Sequence, residues 1–177
     1  GHSKTDWLNS YHSFSFAEYY NPEQMRFGNL RVINEDWVKG GAGFDTHAHR
    51  DMEIITYVMN GSLEHKDSLG TGSIITVGDV QRMSAGRGIE HSEFNPNKDV
   101  DVHLLQIWIL PERKAIEPSY EQKNFSVKRK SGQLTLLVSR DGREDSLHIH
   151  QDTNLYVLDL DPNQTYTFNI PTGRKLW

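Results

Sequence analysis

From Leu30 onward the chain is written almost entirely in short β-type runs, and this constrains the fold more than any other feature. "LRVINEDWV", "MEIITYVM", "SLEHKDSL", "SIITV", "VQRMSA" and "DVHLLQIWIL" follow one another, each bounded by Gly, Asp, Asn or Pro. No stretch of about eleven residues or more carries the i, i+3, i+4, i+7 apolar repeat of a long helix, so the fold is expected to be nearly all β. Evenly spaced strands with turn signals between them predict a barrel or a sandwich. The segment "LPERKAIEPSYEQKNF" breaks the series with two prolines and a cluster of charges, and reads as a linker near residues 111–125. Beyond it, "LTLLVS", "LHIHQD", "LYVLDL", "TYTFNI" and "KLW" resume as a second set of strands that stops before a barrel could close. Both ends of the chain look cut, and the open edge calls for a covering element or a second subunit. The first thirty residues are aromatic without steady period and read as an extended arm whose rings pack onto the body.

Composition narrows the function. A chain of 177 residues suits one compact domain or two small ones sharing a core, and 36 % apolar residues against 24 % charged disfavour disorder. A net charge of −5 argues against a dedicated nucleic-acid binder, which would neutralise phosphates with Lys and Arg. The one basic run, "VKRK" at 127–130, reads as a solvated hairpin turn. No apolar run approaches the roughly 20 residues of a membrane span, and no signal-type segment opens the chain. The absence of cysteine excludes disulfides, thiolate zinc sites and cysteine nucleophiles, and gives a cytoplasmic expectation. Nine histidines are unusual, and any metal must take nitrogen and oxygen ligands.

Two histidine-bearing segments carry the chemistry. In "FDTHAHRDMEIITYVMNGSLEH", His47 and His49 stand at i and i+2, which a strand projects to one face. In "GDVQRMSAGRGIEHSEFN", His91 and Glu93 repeat the spacing. Together they can close three imidazoles and one carboxylate around a single divalent ion, leaving positions for a substrate oxygen or dioxygen. Glu53, four residues after His49 on the same parity, competes with Glu93 for the fourth position, or orients an imidazole N–H; pattern leaves both open. Gly86 and Gly88 allow the sharp turn that delivers His91, and no Gly-Lys-Ser/Thr follows to make a phosphate loop. The second H-x-H, His148 and His150, has no H-x-E partner. With His12, His65 and His103 it reads as surface or interface imidazole.

The stretch from Gly43 to Glu93, with H-x-H-R, Y-V-x-x-G, H-x-D-S-x-G, G-D-V-Q and M-x-A-G-x-G-I-x-H-S-E in order, resembles the signature region of the pirin family, a branch of the cupin superfamily. The flanks "WLNSYHSFSFAEYY" and "LLQIWILP" resemble bacterial pirin-like proteins. The resemblance implies a bicupin, two stacked β-barrels. Residues 1–112 would form a complete N-terminal barrel with the aromatic arm and the metal site, and residues 113–177 a linker and a truncated C-terminal barrel. It places the ligands on His47, His49, His91 and Glu93, favouring Glu93 over Glu53. Ala48 and Arg82 depart from the family's more usual Pro and Trp, and Met52 from an aromatic, which is expected to reshape the pocket and spare the ligands.

The implied activity is that of a quercetin 2,3-dioxygenase, opening a flavonol with dioxygen and releasing carbon monoxide. Iron(II) is the foremost ion, and nickel, copper, manganese, cobalt or zinc suit the same donors. Glu93 would serve as the base for the flavonol 3-hydroxyl, while Phe44, Met52 and Phe94 would hold the flat substrate. The alternative is a non-enzymatic iron-binding regulator or redox sensor read by a protein partner, for which the acidic charge is better suited than for DNA.

Overall fold

The computed structural model describes residues 1–177. Fourteen strands follow in order: β1 (His2–Lys4), β2 (Leu8–His12), β3 (Leu30–Val38), β4 (Gly43–His49), β5 (Glu53–Asn60), β6 (Ser62–Asp67), β7 (Gly72–Thr76), β8 (Asp79–Ser84), β9 (Ile89–Phe94), β10 (Val102–Ile109), β11 (Ser119–Asn124), β12 (Leu134–Ser139), β13 (Leu147–His148) and β14 (Leu155–Leu158). A single 3₁₀ turn at Arg143–Asp145 is the one helical element, and no helix is long and apolar enough to cross a membrane. The all-β expectation from the absence of a helical repeat therefore agrees with the structure.

The strands form three sheets: a seven-stranded one in the order β1-β2-β3-β10-β5-β8-β11, a four-stranded one in the order β4-β9-β6-β7, and a three-stranded one in the order β13-β12-β14. None closes on itself, so the complete N-terminal barrel expected from sequence is not what forms. Closure requires the hydrogen-bond ladder to continue round every corner. Here the two-residue link Val77–Gly78 carries the chain from β7 in one sheet to β8 in another, with Gly78 at φ +91. At that corner side chains replace the ladder. The Asp79 carboxylate accepts from the Thr76 N–H (2.8 Å) and hydroxyl (2.9 Å), and the Gln122 amide on β11 donates to the Ile74 carbonyl on β7 (2.9 Å). The result is a pair of open sheets packed face to face.

Alternation in the strands decides what each face meets. Val38, Val58, Val102 and Leu104 from the large sheet pack with Leu63 and Ile75 from the four-stranded sheet. On the opposite face Ile55, Val80, Ile107 and Ile109 pack with Phe125, Leu137, Val138, Leu147 and Ile149 from the C-terminal residues. The large sheet is thus covered on both sides, and all six residues of β8 are buried. Each such aliphatic side chain removed from water contributes about 1.5–3 kcal/mol.

Two further expectations are corrected. The supposed linker at 111–125 contains β11, which pairs with β8 in full register from Ser119↔Ser84 to Asn124↔Asp79. Prolines and charges mark its approach, but Phe125, fully buried, anchors its end. The runs "TYTFNI" and "KLW" form no strands, because a β-type run becomes a strand only where it finds an edge to pair with. Trp177 instead packs its ring against Phe14 (4.8 Å between centroids) and Phe27 (5.3 Å), on the N-terminal arm.

Candidate metal centre

β4 and β9 run antiparallel with His47 directly opposite His91, so in-register pairing brings the two histidine-bearing segments together. The "AGRG" turn that delivers β9 needs its glycines. Gly86 sits at φ +49, where a Cβ would lie 2.1 Å from the Ile116 carbonyl oxygen, and Gly88 sits at φ +140. The Nε2 atoms of three imidazoles then face one another: His49 to His91 at 3.0 Å, and His47 to His91 at 3.1 Å. His47 donates its Nδ1–H to the Asp45 carbonyl (2.7 Å), which leaves Nε2 with a lone pair. The His49 ring stands edge-on against Trp108, 5.0 Å between centroids.

Burial, followed by the neighbouring His91 and His47, pushes His49 down to about 4; burial, followed by His47 and His65, pushes His91 down to about 3. Both rings are neutral at pH 7, the state in which imidazole ligates. Three facing Nε2 atoms cannot all be satisfied by one another, since at most one proton can be shared across each contact. A divalent cation satisfies all three, and the all-nitrogen-and-oxygen donor set fits first-row divalent ions.

Glu93 lies on the next inward position of β9 and is buried. It is gripped from the large sheet: the Gln106 amide donates to Oε2 (2.8 Å) and the Thr56 hydroxyl to Oε1 (3.4 Å), with Gln81 donating to Thr56 in turn (3.1 Å). Glu93 lines the same cavity as the three imidazoles, yet its closest donor grouping is with His91 and His65. Glu53, the rival on parity, faces the other way. Its Oε2 accepts from the Ser84 hydroxyl (2.8 Å) and the His150 backbone N–H (3.3 Å), on the side of the large sheet covered by the C-terminal residues.

The cavity beside the imidazoles has a volume of about 330 Å³. Leu8, Phe16, Phe44, Ile54 and Trp108 give it apolar walls, and Ser10, His12, Asn34 and Asp36 form a polar strip. Burial, moderated by the Ser10 hydroxyl and reinforced by Glu93 and Glu35, raises the Asp36 carboxyl to about 6. Of the three pocket residues expected from sequence, Phe44 lines this cavity, whereas Met52 packs against Ile54, Met83, Ala85 and Ile89, and Phe94 lies off the wall. Ala48, Met52 and Arg82 do not line it, and Met52 packs behind Ile54, which does. Arg82 is buried on the opposite face, bonded to Ser119 and Glu121.

Sequence reasoning passed over His12 and His65 as surface or interface imidazoles. His12 is buried on the cavity wall, with its Nδ1 2.9 Å from the Asn34 Oδ1, and His65 is fully buried behind His91. The signal for His65 was present as H-x-D, which aims His65 and Asp67 to one face of β6. His148 and His150 stack edge to face at 4.6 Å and join no group of three donors.

The chain also matches known proteins. The family model described as Pirin matches residues 1–109, and the one described as Quercetinase C-terminal cupin domain matches residues 136–177. A quercetin 2,3-dioxygenase of Escherichia coli is 47% identical over an alignment covering 100% of this chain and 75% of that protein. The crystal structure of YhhW from Escherichia coli superposes with a TM-score of 0.84 at 50% identity, covering 88% of this chain and 65% of that one. The bacterial pirin YhhW in complex with nickel(II), also from Escherichia coli, gives the same TM-score of 0.84 over 66% of its length. The chain thus spans about three quarters of the curated relative and just under two thirds of the solved structures.

Proposed function

The chain belongs to the pirin family, and from that premise we propose that it is a metal-dependent dioxygenase of the quercetinase type, working in the cytoplasm with iron(II) as its ion. The substrate class is a flavonol, opened with dioxygen and releasing carbon monoxide. The observation that carries this reading is the convergence of three imidazoles at the wall of a largely apolar cavity of about 330 Å³, within the range of small-molecule sites. His47, His49 and His91 are the nitrogen ligands, with Glu93 as the fourth.

A divalent ion held by His47, His49, His91 and Glu93 would supply Lewis acidity toward a substrate hydroxyl. Glu93 receives the proton of the flavonol 3-hydroxyl. Its Oε2 is engaged by Gln106 at 2.8 Å, while Oε1 meets only the longer 3.4 Å contact from Thr56 and is the freer acceptor. Phe44, Ile54 and Trp108 hold the flat rings and exclude water, and Phe16, edge-on to Trp108 at 5.3 Å, braces that wall. The polar strip from Ser10 to Asp36 offers partners to the remaining hydroxyls.

The test is dioxygen uptake and carbon monoxide release with quercetin by iron-loaded protein, beside His49→Ala and Glu93→Gln. His49→Ala should lose stoichiometric metal and all carbon monoxide. Glu93→Gln should keep metal through the imidazoles and lose at least about 100-fold in kcat, the usual reach of a positioned general base. Iron-loaded protein that neither takes up dioxygen nor releases carbon monoxide would overturn the reading. Undiminished turnover in a metal-loaded Gln variant would remove Glu93 as the base.

A further inference from the structure

Behind His91, on the side away from the other imidazoles, two residues with buried side chains, outside the ligand set, form a chain of contacts. His65 is fully buried, and its Nε2 lies 2.8 Å from Asp67 Oδ2 with both side chains at 0% exposure. His65 Nδ1 lies 3.4 Å from His91 Nδ1. The other Asp67 oxygen accepts the backbone N–H groups of Leu69 (2.9 Å) and Thr71 (3.0 Å), so the turn after β6 fixes the carboxylate in place.

With one proton on each ring, the donor and acceptor chemistry of this chain has one consistent direction. A carboxylate only accepts, so His65 Nε2 carries that proton and Nδ1 presents a lone pair. The contact with His91 is a hydrogen bond only if His91 Nδ1 carries its proton. His91 Nε2 is therefore left as the lone pair, and that atom faces the Nε2 atoms of His47 and His49. We propose that Asp67 and His65 are positioning residues that act as a tautomer relay, holding His91 in the Nδ1–H form so that Nε2 is aimed and available as a metal ligand. Orienting partners of this kind are worth about 10–100-fold in metal affinity. The consequence for binding rests on the metal-centre reading above; the tautomer assignment does not. His65 also groups with His91 and Glu93 as a second set of three donors, but both its nitrogens are already engaged, so ligation there would break the chain.

Asp67→Asn tests the relay without removing the turn. The amide oxygen keeps accepting from Leu69 and Thr71, while its NH₂ replaces an acceptor with a donor facing His65 Nε2. Isotope-edited NMR of the imidazole nitrogens, on metal-free protein at alkaline pH, should find His91 as the Nδ1–H tautomer in the wild type and as Nε2–H in the variant. Calorimetric titration with nickel(II) alone should show an affinity reduced by about 10–100-fold in Asp67→Asn. A wild-type His91 in the Nε2–H form, or a variant whose tautomer and affinity are both unchanged, would overturn the proposal. So would a flipped tautomer with undiminished nickel(II) affinity. In His65→Gln, which retains an acceptor and a donor, near-retained affinity supports the relay; loss as complete as in His91→Ala would make His65 a ligand and refute it. A wild type that binds no nickel(II) would count against the metal centre itself, and the NMR measurement would still decide the tautomer assignment.

Discussion

Asp36 stands on the cavity wall at 3% exposure, with its carboxyl raised from 3.8 to about 6, chiefly by burial. A folded-state pKa above the unfolded value means that the native state holds its proton more tightly. The associated stability is fully present below pH 3.8 and is lost as pH rises through about 6. At about 1.4 kcal/mol per pKa unit, this amounts to ~3 kcal/mol at neutral pH, an upper figure since water can reach an ionised wall group. Asp36→Asn is neutral at every pH and keeps an oxygen to accept the Ser10 hydroxyl. Urea unfolding of metal-free protein between about pH 4 and pH 8 should show the variant more stable by up to ~3 kcal/mol at the upper end. It should also show a flattened stability slope between pH 4 and 6. Equal stability at pH 8 with an unchanged slope would refute the assignment of a destabilising buried carboxylate. A gain would mark Asp36 as a residue retained for its part in the cavity at a cost in stability.

Three shorter predictions concern the same frame. Gln106→Leu withdraws the 2.8 Å bond to Glu93 and leaves a buried carboxylate oxygen without that partner, so urea unfolding of metal-free protein should register a loss of ~1–3 kcal/mol. Gly86→Ala forces a side chain to φ +49 and against the Ile116 carbonyl; a loss of at least ~1 kcal/mol should appear as a Tm lowered by about 2–4 °C or more in a thermal melt. Removing the ion with a chelator should lower Tm reversibly, because a ligand that binds only the folded state at about 100 times its Kd stabilises by ~2.7 kcal/mol. His49→Ala should show no such response.

Strand periodicity made a large part of the site legible. The i, i+2 rule within β4 and within β9 places His47 with His49 and His91 with Glu93 on shared faces, and the glycine turn before His91 is required by the backbone itself. Those are local properties, and the all-β character and the nitrogen-and-oxygen donor set follow from the same residues. Parity stops at a turn, however. Between His49 and Glu53 the chain passes through Asp51 at φ +50 and enters a different sheet, so Glu53 points to His150 and Ser84 although its spacing suggested the metal. The same limit hid the open edges of the sheets, which depend on whether the ladder continues round a corner or is replaced by Asp79 and Gln122. It also hid His65, Asp67, His12 and Asp36. Their roles come from which strands lie side by side and which sheet lies across the cavity, and pairing between distant segments is decided by packing of the whole chain. Residue order along a strand sets which side chains share a face; long-range packing sets what each face meets.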